Sequence, residues 1–361
     1  MKRILLPLAA SALIAASCDS GKIFQQQEIP NEEPRKEETS LIPVSLKING
    51  NETKALSANT NESKINSLQV FIFTKNTEGI ETYDSYYSFG SDSEDYIIYI
   101  DPNRTDVVEY RFATYVNRPQ ISEDAQEEDW ALFSYESETN FQMFGNDSFS
   151  QAKILETNSV NLKVTRLCSK VEVREIAVDW TNSVNSRKTL KLMGMYLMDV
   201  QGAFKNQHEV SETVKTDHSL WFNRSGYNST DQDALLYDKI NEIEVTESES
   251  YKDDHYLYGF ISDLTTYNDK PLAEWTEGGT RLVIEAEFDG KLCYYPIPLN
   301  GIGGTEKLTD IRNKEFIFSK ITITKPGAEH PYSPLPTESP VTVSLQVQPW
   351  QPGYSGDYTV E

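Results

Sequence analysis

Val341-Thr342-Val343-Ser344-Leu345-Gln346-Val347 alternates apolar and polar residues without a break. In an extended chain successive side chains point to opposite faces, so this alternation gives one dry face and one wet one. A helix would scatter the same four apolar residues around its surface. The stretch therefore predicts a half-buried β-strand, and the signal recurs back along the chain. Phe316 to Thr324 (FIFSKITIT), Leu292 to Leu299 and Leu190 to Val200 read as strands. In Arg281 to Phe288, Leu282, Ile284, Ala286 and Phe288 share one face, opposite Arg281, Glu285 and Glu287.

Val160 to Trp180 is the longest strand-like segment. Val160, Leu162 and Val164 alternate, the phase slips near Cys168, and Val171 and Val173 resume it. A bulge or a passage between domains would give such a slip. Further back, Val108 to Val116 ends at Asn117-Arg118-Pro119, and Tyr96 to Ile100 precedes it. Leu68 to Phe73 (LQVFIF) is a short apolar run broken only by Gln69, as in a strand covered on both sides, and Asn76 to Gly79 turns the chain. Val44, Leu46 and Ile48 alternate with Ser45 and Lys47 before the turn signal Asn49-Gly50. One short helix is predicted around Glu123 to Phe133. The pattern predicts an all-β chain of antiparallel sandwiches. Its length suits two tandem domains, 41–165 and 166–361, with the boundary near Arg166.

Composition supports strands and limits partners. Twenty Tyr and 15 Phe favour sheets over helices. With 56 acidic against 33 basic residues the net charge is −23, which argues against nucleic acid, since phosphate binding needs a basic face. Met1-Lys2-Arg3 followed by the apolar run Ile4 to Ile14 reads as a signal peptide over residues 1–17. The run falls short of the ~20 residues of a spanning helix. Ala15-Ala16-Ser17 before Cys18 makes that cysteine the expected lipid acceptor of a bacterial lipoprotein. Residues 18–40 are polar and charged in blocks, and read as a flexible tether. Cys168 and Cys293 then remain, either as one long-range disulfide or as two buried free thiols.

No pattern of catalytic or cofactor residues emerges. His208, His218, His255 and His330 share no ligand spacing, and no CxxC or HxxxH pair suggests a metal. Gly301-Ile302-Gly303-Gly304 lacks the Lys-Ser/Thr of a phosphate loop. Asp231-Gln232-Asp233 is too short for a calcium loop. Trp130, Trp221 and Trp275 could form a sugar-stacking platform, although tryptophans more commonly belong to a core. The expectation is a non-enzymatic protein without a cofactor.

Several segments, taken in order, resemble the FimA/Mfa1-type fimbrillins, the type V pilins of Bacteroidales. Lys54-Ala55 followed by Glu62, Ile65, Leu68, Val70 and Phe73 looks like that family's basic-Ala junction and first core strand. Phe112 to Pro119 (FATYVNRP) is similar to its strand ending in Asn-x-Pro. Phe141 to Gly145 resembles a Pro-Met-x-Gly segment with Gln142 in place of Pro. Val160 to Val173 matches a Leu-x-x-x-Arg-x-x-Ala-Lys-Val-x-Val strand with Ser169 at the Ala position. Tyr256 to Phe260, Tyr294-Tyr295-Pro296-Ile297 and Ile311 to Gly327 continue the likeness, and Val341 to Trp350 closes it.

The resemblance implies two tandem transthyretin-like β-sandwich domains and a fimbrial role. In such proteins a protease removes an N-terminal strand, and a terminal strand of a neighbouring subunit fills the opened groove. Carried onto this chain, residues 41–54 would be the removable strand. Lys54-Ala55 would be the cleavage site, with Lys64-Ile65 as second choice; the best-known members cut after Arg. Val341, Val343, Leu345 and Val347 would line the donor strand, unless it stays in its own sheet or the tail Gln351 to Glu361 swings out instead. The implied partners are other fimbrial subunits, a trypsin-like maturation protease, and the outer membrane through lipid on Cys18. A fimbrial anchor, a fimbrial tip and a surface glycan-binding lipoprotein are the alternative roles.

Overall fold

In the computed structural model the described residues are 41–50, 62, 64–91, 93, 95–123, 130–180, 189–205, 221–261, 279–299, 312–332 and 341–349. The chain is all-β. Its first strands are β1 (Ile42–Gly50), β2 (Ser67–Asn76), β3 (Glu81–Gly90), β4 (Ile97–Ile100), β5 (Val107–Val116), β6 (Trp130–Leu132), β7 (Met143–Ser150) and β8 (Ser159–Arg166). Seven of these form one sheet in the order β3-β2-β5-β7-β8-β1-β4. β7 and β8 pair only at Met143–Arg166 and Phe144–Thr165, so the sheet folds over at that corner. Gly145 sits there because a Cβ would lie 2.1 Å from the Lys163 carbonyl oxygen. The fold brings the two ends together: the Tyr87 hydroxyl on β3 bonds both the N–H and the carbonyl of Tyr99 on β4, each at 3.1 Å. Phe89 meets Tyr96 edge-on at 5.3 Å nearby.

The next strands are β9 (Ser169–Val178), β10 (Leu190–Met198), β11 (Val200–Gln201), β12 (Ala203–Lys205), β13 (Trp221–Phe222), β14 (Tyr237–Val245) and β15 (Tyr251–Gly259). β16 (Arg281–Phe288), β17 (Lys291–Pro298), β18 (Lys314–Ile323) and β19 (Val341–Pro349) complete the set. Two four-stranded sheets result, β15-β9-β18-β19 and β14-β10-β16-β17. Leu282, Ile284 and Ala286 are fully buried, as their shared face predicts. The phase slip near Cys168 is a passage between sheets: β8 closes the first sheet at Arg166 and β9 opens another at Ser169. Ser40–Glu361 forms one compact unit, and its largest apolar cluster runs from Phe71 to Val341 across both groups of sheets. β6 also pairs with β12, tying the two groups by hydrogen bonds.

Three details depart from the sequence reading. Two pairings are parallel, β1 with β8 and β9 with β18, which the long intervening segments permit. The predicted helix at 123–133 falls partly outside the described residues. What is described there is strand β6 followed by a 3-10 turn, Phe133–Tyr135. A two-turn helix that the sequence reading lacked, α1 (Gln151–Thr157), is capped by Ser150, which accepts from the Lys153 N–H at 3.3 Å. Cys168 and Cys293 are both buried free thiols. No described helix is long and apolar enough to cross a membrane.

Candidate functional site

The apolar face of β1 packs into the cluster enclosed by the folded seven-stranded sheet. Val44 is 0% and Leu46 4% exposed, while Ile42 and Ile48 pack half-buried on the same cluster. Burying two such side chains contributes about 3–6 kcal/mol before ordering costs. β1 lies between two strands, antiparallel to β4 over Ile42–Ser45 and parallel to β8 over Ser45–Gly50. The Ser45 N–H donates to the Asn158 carbonyl at 3.0 Å, and the Leu46 N–H to the Tyr96 carbonyl at 2.8 Å. Among the described strands β4 pairs with β1 alone, and β8 has besides it only the short contact with β7. Taking β1 away would open a slot with bare backbone groups on both walls and an apolar floor. Buried backbone groups of that kind need partners, so such a slot is a template for another strand.

Downstream of β1 the chain is pinned. Glu62 is 1% exposed; its carboxylate accepts from the Tyr258 hydroxyl at 2.9 Å and lies 3.4 Å from the Lys170 ammonium. Lys170 also reaches Glu315 at 3.2 Å. Arg166 donates to the Glu62 backbone carbonyl at 2.9 Å and to Asn313 Oδ1 at 3.2 Å. Burial pulls the Arg166 pKa below its ordinary value, and the charges of Glu62 and Glu315 oppose that shift. The Lys64 carbonyl accepts from Asn117 Nδ2 at 2.7 Å, while Asn117 Oδ1 accepts from the Asn66 N–H at 2.7 Å. Asn117 holds φ at +59°, a conformation that asparagine tolerates better than most residues.

Of the residues singled out by sequence, Cys18, Lys54 and Ala55 lie outside the described residues. Lys64 is exposed and Ile65 half-buried, in the pinned segment. Val341, Val343 and Leu345 lie on β19, which among the described strands stands at the edge of its sheet beside β18. Val341 is buried, Val343 and Leu345 are half-buried, and the Val347 backbone pairs with Phe316. Trp221 is buried rather than presented on a face. His255 is held by Asp238 at 2.6 Å and Tyr251 at 2.9 Å, linking strands at the edges of the two four-stranded sheets. Among the described residues no group of three or more His, Cys, Asp or Glu could hold a metal ion.

Solved structures share this fold. A fimbrilin (FimA) from Porphyromonas gingivalis superposes with a TM-score of 0.55 over 87% of this chain and 98% of its own, at 14% identity. Its fold is a fimbrillin fold. A candidate cell adhesion protein from Parabacteroides distasonis gives the same TM-score of 0.55 over 88% of this chain and 99% of its own, at 15% identity. Another from Bacteroides eggerthii gives 0.54 over 86% and 96%, also at 15% identity. No protein-family model matches the sequence, and no curated protein matches it significantly. The fimbrillin fold thus carries a sequence far from those of its structural neighbours.

Proposed function

We propose that this chain is a non-enzymatic structural subunit of a surface fimbria that polymerises by strand replacement and supports adhesion. It would be exported as a lipoprotein through Cys18 and reach the outer membrane before assembly. Proteolysis would release β1, and a terminal strand of a neighbouring subunit would take its place. The observation that carries this reading is the position of β1 between β4, which among the described strands pairs with it alone, and β8, which has besides it only a short contact with β7.

Geometry also favours one processing site over the other. A cut after Lys64 would detach Glu62 from Lys170 and Tyr258, and Asn117 holds the carbonyl of that peptide bond. A cut between Lys54 and Ala55 would leave those contacts intact. A fimbrial anchor is the second reading, and the deep burial of Val44 and Leu46 favours it, because an anchor would keep its first strand.

Light trypsin treatment of purified precursor tests the reading as a polymerising subunit. The expected result is a ladder of sodium dodecyl sulfate-resistant multimers whose N-terminus begins at Ala55. Monomers with an intact N-terminus would overturn it. Detection of a lipid-bearing Cys18 in native fimbriae would instead mark the anchor.

A further inference from the structure

The sheet β14-β10-β16-β17 gives one face to the large apolar cluster, through Leu282, Ile284 and Ala286 among others. Its other face holds a small cluster of Tyr196, Met198 and Val283, against which Tyr227, Tyr237, Tyr294 and Tyr332 pack half-buried. Glu285 belongs to this second face, two residues beyond Val283 along β16. Register sets it between aromatic rings. Tyr294 on β17 is its partner on one side, and Gly194 on β10 is its partner on the other. Gly194 follows a bulge, and a Cβ there would stand 2.8 Å from the Tyr237 hydroxyl oxygen. The missing side chain thus makes room for the Tyr237 ring beside Glu285. Burial first, and then the charge of Glu285, raise the pKa of both Tyr237 and Tyr294.

Glu285 is half-buried, and burial raises its own pKa. Among the described residues no hydrogen bond or ion pair reaches its carboxylate, and none of the nearby phenols donates to it. The cations of this face are engaged elsewhere. Lys191 lies 3.3 Å from Glu287, and Arg281 acts on Asp199, whose pKa it lowers against the larger effect of burial. A carboxylate drawn out of water in this way is costly until a counter-charge meets it. Tyrosine faces also attract cations, through the negative face of the ring.

We infer that this face binds the side chain of an exposed lysine on a partner protein. The ammonium meets the Glu285 carboxylate, and the aliphatic stem lies along Tyr237 and Tyr294. The net charge of −23 also favours a basic partner. A sugar could stack on the same rings, but its hydroxyls bring no positive charge to the carboxylate. The site uses no residue of β1, β4 or β8, so it stands or falls independently of strand replacement.

Ligand-observed NMR on the full chain tests it, with N-acetyl-lysine methylamide and its neutral counterpart N-acetyl-norleucine methylamide as probes. The lysine amide should bind about tenfold more tightly than the norleucine amide. Glu285→Gln should abolish that difference without lowering the urea midpoint, because a neutral amide is easier to bury than a carboxylate. Tyr294→Phe should keep the preference for lysine, since the ring face suffices, and Tyr294→Ala should weaken it. Equal binding of the two amides, no binding of the lysine amide, or a preference that survives Glu285→Gln would overturn the inference. Maltohexaose is the third probe, and its binding in place of the lysine amide would mark a sugar platform and overturn the inference as well.

Discussion

Leu46→Ala should weaken the full-length chain and leave the assembled polymer unchanged. Leu46 is 4% exposed at the centre of β1, inside an apolar cluster whose members, Ile154 of α1 apart, sit mostly on hydrogen-bonded strands. Cutting a buried leucine to alanine costs about 2–5 kcal/mol, depending on how far the neighbours close the void. Ladders on both sides of β1 restrain that closure, so the upper part of the range applies, roughly 3–5 kcal/mol. For a chain of this size a loss of that order lowers Tm by on the order of 2 °C per kcal/mol. Scanning calorimetry of the precursor should therefore show a fall of roughly 6–10 °C. After trimming and assembly β1 has gone, and wild-type and variant polymers are the same molecule. They should melt together. A variant polymer that melts several degrees below wild type would show that β1 still fills its slot, and strand replacement would be refuted. Leu345→Ala should behave in reverse, with a small effect on the precursor, where Leu345 is half-buried, and a large one on the polymer.

Three further outcomes follow from buried polar groups. Lys170→Met removes the cation between buried Glu62 and Glu315, and should cost up to about 3–5 kcal/mol, read as a lower urea midpoint with unchanged slope. Asn117→Ala loses the bonds to Lys64 and Asn66 and strains a positive φ, costing about 2–4 kcal/mol; limited trypsin digestion with N-terminal sequencing should then find a new cut after Lys64. Desolvation raises Glu136 to about 8 and Asp199 to about 7, so the folded chain keeps protons that the unfolded chain has released above pH 4.5. Stability is thus fullest below the ordinary carboxylate range and falls by up to about 1.4 kcal/mol per pH unit per group as pH rises towards 7 and 8. Urea titrations from pH 5 to 8 should show this slope, and Glu136→Gln should flatten it.

The sequence made the buried strands legible because burial on one face imposes a period of two. Leu282, Ile284 and Ala286 lie where that pattern puts them, and the run Leu68 to Phe73 is buried on both faces, as its lack of alternation predicts. β3 and β14 escaped it. Both are edge strands, and Glu81 to Gly90 and Tyr237 to Val245 are largely exposed or half-exposed, so no core face marks their spacing. The strand Ile42–Gly50 was legible, but not its place between β4 and β8, since pairing with a segment so distant leaves no local trace. The anchorage of Glu62 is hidden for the same reason. Arg166, which grips its carbonyl, lies 104 residues away. Likewise the edge position of β19 comes from sheet order, which alternation alone does not specify.

The paired contact of the Tyr87 phenol with Tyr99 has a mechanical consequence. β4 is only four residues long and has β1 as its ladder partner, so the loss of β1 would otherwise leave it free to drift. One aromatic post on β3, braced by Phe89 against Tyr96, would hold that short wall upright across the gap. An arriving strand would then meet a doorway already framed. Joining would proceed by threading into a standing frame, with the far jamb secured by a side chain that belongs to neither the departing nor the incoming segment.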